Sequence, residues 1–313
     1  MRVLFIDSTH VRLPEKLKQA GFTVHYLPDT PIKDIVKIIP DYEGIIIRSK
    51  VKIDKSILDS TLNLKFIGRV GAGLENIDVE YAESKGIKCF NSPEGNRDAV
   101  GEQALGMLLA LFNNILKADL EVRDGKWIRE GNRGLEIKGK TVGIIGYGNM
   151  GSAFAQRLKG FEANVIAYDK YKFDYSDEYA IEKSLEDIYE QTDILSLHVP
   201  LTEETGYMIN DEFINRFKKD IYIINTARGK VLKTADLVKN MKSGKVLGAA
   251  LDVLEYEQVS FEDLHSDDKL PEAFQYIINS NKVVLTPHIA GWTQESNIKL
   301  SEFLADKIIK EFT

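Results

Sequence analysis

At 313 residues the chain exceeds one ordinary domain, so two domains, or one large α/β domain with an insertion, are expected. Ordinary apolar and charged fractions with a net charge of −7 give no reason to expect nucleic acid as a partner, and a small anionic substrate would need local basic residues. The single Cys89 excludes an intramolecular disulfide framework and a thiolate zinc site, and fits a reducing compartment.

The N-terminal "MRVLFIDSTH" reads as a short strand without a long apolar region, and the longest apolar run, "ALGMLLALF", is too short to span a bilayer. No leader, membrane helix or membrane partner is therefore read, and cytoplasm is the default. Short β-branched runs ("RVLFID", "TVHYL", "GIIIRS", "KFIGRV", "IKCFNS") then alternate with amphipathic helical patterns, which predicts βαβ units and a parallel sheet. One long helix is expected from "SPEGNRDAV" through "GEQALGMLLALFNNILKADLEVRDGKW", nearly apolar all round over Leu105 to Leu111. A second series, from "KTVGIIGYGNMG" through "NVIAYD", "TDILSLHV", "IYIINTA", "VLGAALDV" and "KVVLTPH", predicts a second parallel sheet. The closing "ESNIKLSEFLADKIIKEF" has helical spacing and is expected to return to the first domain. The expectation is α/β, two doubly wound parallel-sheet domains with a cleft between them.

"VGIIGYGNMGSAFAQRL" sets Gly146, Gly148 and Gly151 as G-x-G-x-x-G between an apolar strand and a helix. That arrangement gives a tight turn, lets the backbone approach a pyrophosphate, and lets the helix pack on the strand with its N-terminus facing the phosphates. The next strand ends in Asp169, at the offset of the carboxylate that binds an adenosine ribose diol. An acid there repels a 2′-phosphate, so NAD is expected as cofactor, although Lys170 and Lys172 stand beside it.

With a nicotinamide in place, the remaining chemistry needs a group to move an alcohol proton and a cation to fix the substrate. Imidazole suits the first role and guanidinium the second. Successive strand ends offer Arg228 in "IINTARG", the acids Asp252, Glu255 and Glu257 in "ALDVLEYE", and His288 in "LTPHIAG". No metal site is read.

The runs "GRVGAGLENID", "GNRDAVGEQALGMLLAL", the glycine fingerprint, "HVPLT", "NTARG", "ALDVLEYE" and "TPHIAG" occur in an order that resembles the D-isomer-specific 2-hydroxyacid dehydrogenases. The resemblance covers residues 45 to 291. It implies Arg228, Glu257 and His288 as the catalytic set: a carboxylate-binding arginine, and an acid/base histidine with its carboxylate partner. Glu257 lies five positions after Asp252, as the family's carboxylate does, which leaves Glu255 to loop or solvent. The resemblance also implies cofactor contacts from Gly146, Tyr147, Gly148, Asn149, Met150, Gly151, Asp169, His198, Val199, Pro200, Thr205, Thr226, Ala227, Asp252 and Gly291. Asp252 would lie near the nicotinamide amide.

A discontinuous substrate domain, flavodoxin-like and formed by residues 1–94 and 289–313, is implied beside a Rossmann NAD domain of residues 95–288. Relatives usually carry proline after the glutamate; here Gln258 follows, and the longer segment 258–281 is a candidate lid or contact surface. Within the family the likeness runs to the branch oxidising 3-phosphoglycerate to 3-phosphohydroxypyruvate, the entry to serine synthesis. Arg48 in "IIIRSKVKID" and Arg69 in "IGRVGAG", followed by Val70, Gly71 and Ala72, are the implied substrate-binding residues, and Arg129 or Arg133 would add a cation from a neighbouring subunit of a homodimer. The chain ends before the appended effector domain of some relatives, so kinetics without serine inhibition are expected. Reduction of glyoxylate or hydroxypyruvate is the enzymatic alternative, and a dinucleotide-sensing corepressor the alternative of another class.

Overall fold

The computed structural model describes residues 1–257 and 271–313. They form two compact units, each built on its own parallel sheet. The first comprises Met1–Arg97 and Gly291–Thr313. Its strands are β1 (Arg2–Phe5), β2 (Thr23–Tyr26), β3 (Gly44–Ile47), β4 (Phe66–Arg69) and β5 (Lys88–Phe90), in the order β2-β1-β3-β4-β5. The middle strands β3 and β4 are buried at every position, as expected of apolar β-branched runs covered on both faces.

The closing helix, Gln294–Phe312, belongs to this unit as the sequence predicts. Thr293 caps it by accepting a hydrogen bond from the Ser296 backbone N–H at 3.1 Å, and Leu300, Leu304, Ala305 and Ile308 pack into a core with Val3, Phe5, Leu13 and Phe66. Burying each large aliphatic side chain there contributes roughly 1.5–3 kcal/mol.

The second unit, residues 98–257 and 271–290, carries β6 (Thr141–Ile145), β7 (Asn164–Tyr168), β8 (Ile181–Glu182), β9 (Ile194–Leu197), β10 (Ile221–Asn225), β11 (Val246–Leu251) and β12 (Val283–Leu285). Their order is β12-β11-β10-β9-β6-β7-β8, all parallel, with the direction of winding reversing between β6 and β9. The two-residue β8 has no counterpart in the sequence reading.

A second departure is the expected long helix, which breaks into Arg97–Phe112 and Ile115–Arg123 with a 60° bend. Asn114 sits at the break with φ 51°, a left-handed conformation that asparagine tolerates better than most residues. The first helix buries Ala104, Met107, Leu108, Leu111 and Phe112 in the unit's own core, whereas Ile115, Leu116 and Leu120 beyond the break are exposed. Among the described residues no single helix is long and apolar enough to cross a membrane.

Of the segment expected as a lid or contact surface, residues 258–270 lie outside the described residues. The remainder forms helix Glu272–Asn279, which buries Phe274 and Ile277 in the second core rather than covering anything as a lid.

Candidate active site

Tyr168, Ile145, Leu197, Asn225, Leu251 and Leu285 lie side by side in one register row of the second sheet. The residues that follow them are Asp169, Gly146, His198, Thr226, Asp252 and Thr286. Six positions scattered over more than a hundred residues of sequence thus emerge at one C-terminal edge, where parallel sheets bind ligands, and the winding reversal falls between the strands that lead to Gly146 and His198.

Gly146 takes φ +92°, and a Cβ there would lie 2.5 Å from the His198 carbonyl oxygen, so no larger residue fits the turn. A Cβ on Gly151 would lie 2.1 Å from the Gly146 carbonyl oxygen, which holds helix Asn149–Leu158 hard against the turn. Gly148, the N-cap, is different: a Cβ there meets nothing within 4 Å, and no side chain caps the helix. The donors of this helix start and the open space before it fit a pyrophosphate.

Asp169 follows in place, its oxygens accepting hydrogen bonds from the backbone N–H groups of Tyr147 at 2.9 Å and Tyr171 at 3.0 Å. Both neighbouring lysines are engaged, Lys170 with Glu204 and Lys172 with the Tyr147 carbonyl at 2.9 Å. Tyr147 points inward, its hydroxyl donating to Asp177 at 3.0 Å, and burial with that bond raises its phenol pKa.

On the other side of the reversal, His198 shares a 2.8 Å hydrogen bond between Nε2 and the Ser196 hydroxyl. The residue keeps some surface, but Nδ1 is sealed from solvent without a partner among the described residues, and burial pushes the imidazole pKa down to about 3. The loop from His198 through Val199 and Pro200 is tied by Thr205, whose hydroxyl donates to the Pro200 carbonyl at 2.6 Å and accepts from the Thr202 N–H at 2.8 Å.

The three ends at β10, β11 and β12 hold the chemistry. After β10, the buried Asn225 ties the turn together: its amide oxygen accepts from the Ala227 N–H at 3.0 Å and its amide nitrogen donates to the Arg228 carbonyl at 3.1 Å. Arg228 Nη1 donates to the Ala227 carbonyl at 2.7 Å. After β11, Glu257 folds back on its own turn, one carboxylate oxygen accepting from the Leu254 N–H and the other bonding His288 Nδ1 at 2.7 Å. The pair is about four-fifths buried, with side-chain exposures of 20% and 15%. Gln258 in place of proline therefore leaves this geometry intact. With Nδ1 held by a carboxylate, proton exchange with a substrate falls to Nε2.

Asp252 is 1% exposed, and its carboxylate accepts from the Thr286 hydroxyl, the Ile289 N–H at 2.9 Å and the Ala290 N–H at 2.8 Å. Its own carbonyl accepts from the His288 N–H at 2.7 Å. These bonds hold His288 at φ 53°, a conformation that costs a non-glycine residue energy and persists only where its surroundings impose it. Glu255 corrects the sequence reading: it is no solvent residue, because its carboxylate accepts from the Thr234 N–H at 3.1 Å and caps helix Thr234–Ser243.

In the first unit, Arg48 and Arg69 end β3 and β4. Arg69 departs from the expectation of a displayed cation. It is 7% exposed, with Nε donating to the Arg48 carbonyl at 3.1 Å and Nη1 to the Gly73 carbonyl at 2.9 Å, so it braces the loop containing Val70, Gly71 and Ala72. Arg48 is half-buried, and its guanidinium carbon lies 4.3 Å from the centre of the Trp292 ring. Gly291 begins the same unit. Arg133 forks onto Glu130 at 2.9 Å, and Arg129 is exposed.

The family model described as D-isomer specific 2-hydroxyacid dehydrogenase, NAD binding domain, matches residues 105–290. The chain belongs to the D-isomer-specific 2-hydroxyacid dehydrogenases. Its cofactor is NAD. This dehydrogenase is 38% identical over 280 residues to hydroxypyruvate reductase of Thermotoga maritima, covering 89% of this chain and 87% of that one. It is 32% identical over 311 residues to D-3-phosphoglycerate dehydrogenase of Archaeoglobus fulgidus, covering 99% of this chain and 57% of that protein, so it spans little more than half of that relative. Among solved structures, D-lactate dehydrogenase from Aquifex aeolicus, complexed with NAD and lactic acid, matches at TM-score 0.82 and 30% identity, covering 99% and 95% of the two chains.

Sequence reasoning passed over four residues that shape these sites in the dehydrogenase. Asn225 had a visible signal, an asparagine opening a turn at a strand end. Thr286, Asp7 and Trp292 had none, since their partners lie at least 34 residues away.

Proposed function

We propose that this dehydrogenase interconverts 3-phosphoglycerate and 3-phosphohydroxypyruvate. The reading is carried by Arg48, a half-buried guanidinium at the C-terminal edge of the first sheet. Burial lowers its pKa, and among the described residues it has no hydrogen-bond acceptor. A desolvated cation of this kind favours an anion beyond the carboxylate that every family substrate carries, and guanidinium binds phosphate bidentately.

Bound NAD supplies the acceptor of the C2 hydride in the direction of oxidation. His288 accepts the hydroxyl proton at Nε2, and Glu257 fixes the ring and balances its charge as it becomes cationic. Arg228 binds the substrate carboxylate, the Gly71 loop adds backbone donors to it, and Asp252 keeps the histidine loop in position before substrate arrives. In reduction the same proton leaves Nε2 for the carbonyl oxygen.

Hydroxypyruvate reduction is the second reading, favoured by the Thermotoga maritima relative, which aligns over most of both chains, and by the inward commitment of Arg69. NADH oxidation with phosphohydroxypyruvate, hydroxypyruvate and glyoxylate separates the two. The phosphorylated acid is expected to have the highest kcat/KM, and a preference for hydroxypyruvate would overturn the first reading. His288→Gln should lower kcat by about 10²- to 10⁴-fold while NADH still binds, and Arg228→Ala should chiefly raise KM. A homodimer is part of the proposal, supported by the exposed Leu120 at 68% and Trp127 at 81%; sedimentation of a monomer at micromolar concentration would remove it.

A further inference from the structure

Trp292 has no role in the chemistry described above, yet its position is closely determined. It stands between Gly291, at φ +91°, and Thr293, whose hydroxyl caps helix Gln294–Phe312. The ring is 67% exposed, an expensive place for an indole that serves only packing. Its one cation partner is Arg48, 4.3 Å from the ring centre and within the same unit.

Arg48 is held at its backbone from both sides. Its N–H donates to the buried Asp7 carboxylate at 2.6 Å, and its carbonyl accepts from Arg69 Nε and Asn76 Nδ2, each at 3.1 Å. Only the side chain is left to be oriented, and Arg side chains carry large rotamer freedom. A ring face does this without occupying a donor: stacking uses the π surface of the guanidinium, while its N–H groups point outward in the plane. A carboxylate partner in the same place would orient the cation but neutralise it and compete with an incoming anion.

We propose that Trp292 is a positioning residue for substrate recognition, a flat shelf that presents the in-plane donors of Arg48 to the C3 phosphate of the substrate. The inference rests on the phosphate reading of Arg48. It deepens that reading by assigning the discrimination between phosphorylated and unphosphorylated three-carbon acids to an arginine–indole pair rather than to the arginine alone.

The test compares the parent dehydrogenase with Trp292→Ala, Trp292→Phe and Arg48→Ala, using phosphohydroxypyruvate and hydroxypyruvate with NADH, and NADH affinity as a check that the protein is folded. Trp292→Ala is expected to raise KM for phosphohydroxypyruvate about 3- to 10-fold more than KM for hydroxypyruvate, with kcat changed less than KM. Trp292→Phe should restore most of that ratio, because a phenyl face still stacks. If Arg48→Ala changes the ratio but Trp292→Ala does not, the shelf is overturned and the phosphate reading stands. If Arg48→Ala weakens both substrates equally, the phosphate reading falls and the shelf with it. A ratio lost in Trp292→Ala and not recovered in Trp292→Phe would also overturn the shelf, since size rather than the aromatic face would then be what matters.

Discussion

His198 shows how one side chain ties stability to pH. Above about pH 6.5 its imidazole is neutral in both folded and unfolded chains. Below that, the unfolded chain takes up a proton that the folded chain refuses until about pH 3. The folded pKa is the depressed one, so stability falls as pH drops through this window, by up to about 1.4 kcal/mol per unit. Urea titrations at pH 7 and pH 5 should show His198→Gln losing about 2 kcal/mol less between the two than the parent does. Equal losses would mean that the ring is not held neutral. The residue was legible in the sequence only as part of a loop; its sealed Nδ1 depends on Phe154 and on the Gly146 turn, which pack on it from distant positions. Glu257 and His288, by contrast, were readable as a pair, because each follows a strand by a fixed short interval and neighbouring parallel strands align their ends.

Elements that are buried on both faces announced themselves in the sequence, and this is why both sheets were expected in their places. Two things escaped. The apolar pattern runs unbroken past Asn113 and Asn114, so the bend there is visible only once Phe112 is seen in the core and Ile115 outside it. The cap of helix Thr234–Ser243 comes from Glu255, 21 residues away, where helix-start signals in the local sequence cannot reveal it. Removing that cap should be a purely structural change. Glu255→Ala is expected to cost about 1 kcal/mol, lowering the melting temperature by about 2–4 °C, without altering NADH affinity. A large loss of NADH affinity would instead place Glu255 in the cofactor site.

For the whole molecule, the first unit depends on a helix supplied from the far end of the chain. Leu304 is fully buried among Val3, Phe5 and Phe66, so Leu304→Ala should destabilise that unit by about 2–5 kcal/mol, read by chemical denaturation. NADH affinity, set by the second unit's residues, should persist. The closing helix also has a consequence for how the protein is made. A ribosome completes all of the second unit before it delivers Gly291–Thr313, and domains fold as their residues emerge. The unit that starts first in sequence is thus the last to fold. Through most of synthesis the nascent chain carries β1 to β5 with the apolar seat of the final helix uncovered, and that interval is when a chaperone would have the most surface to hold.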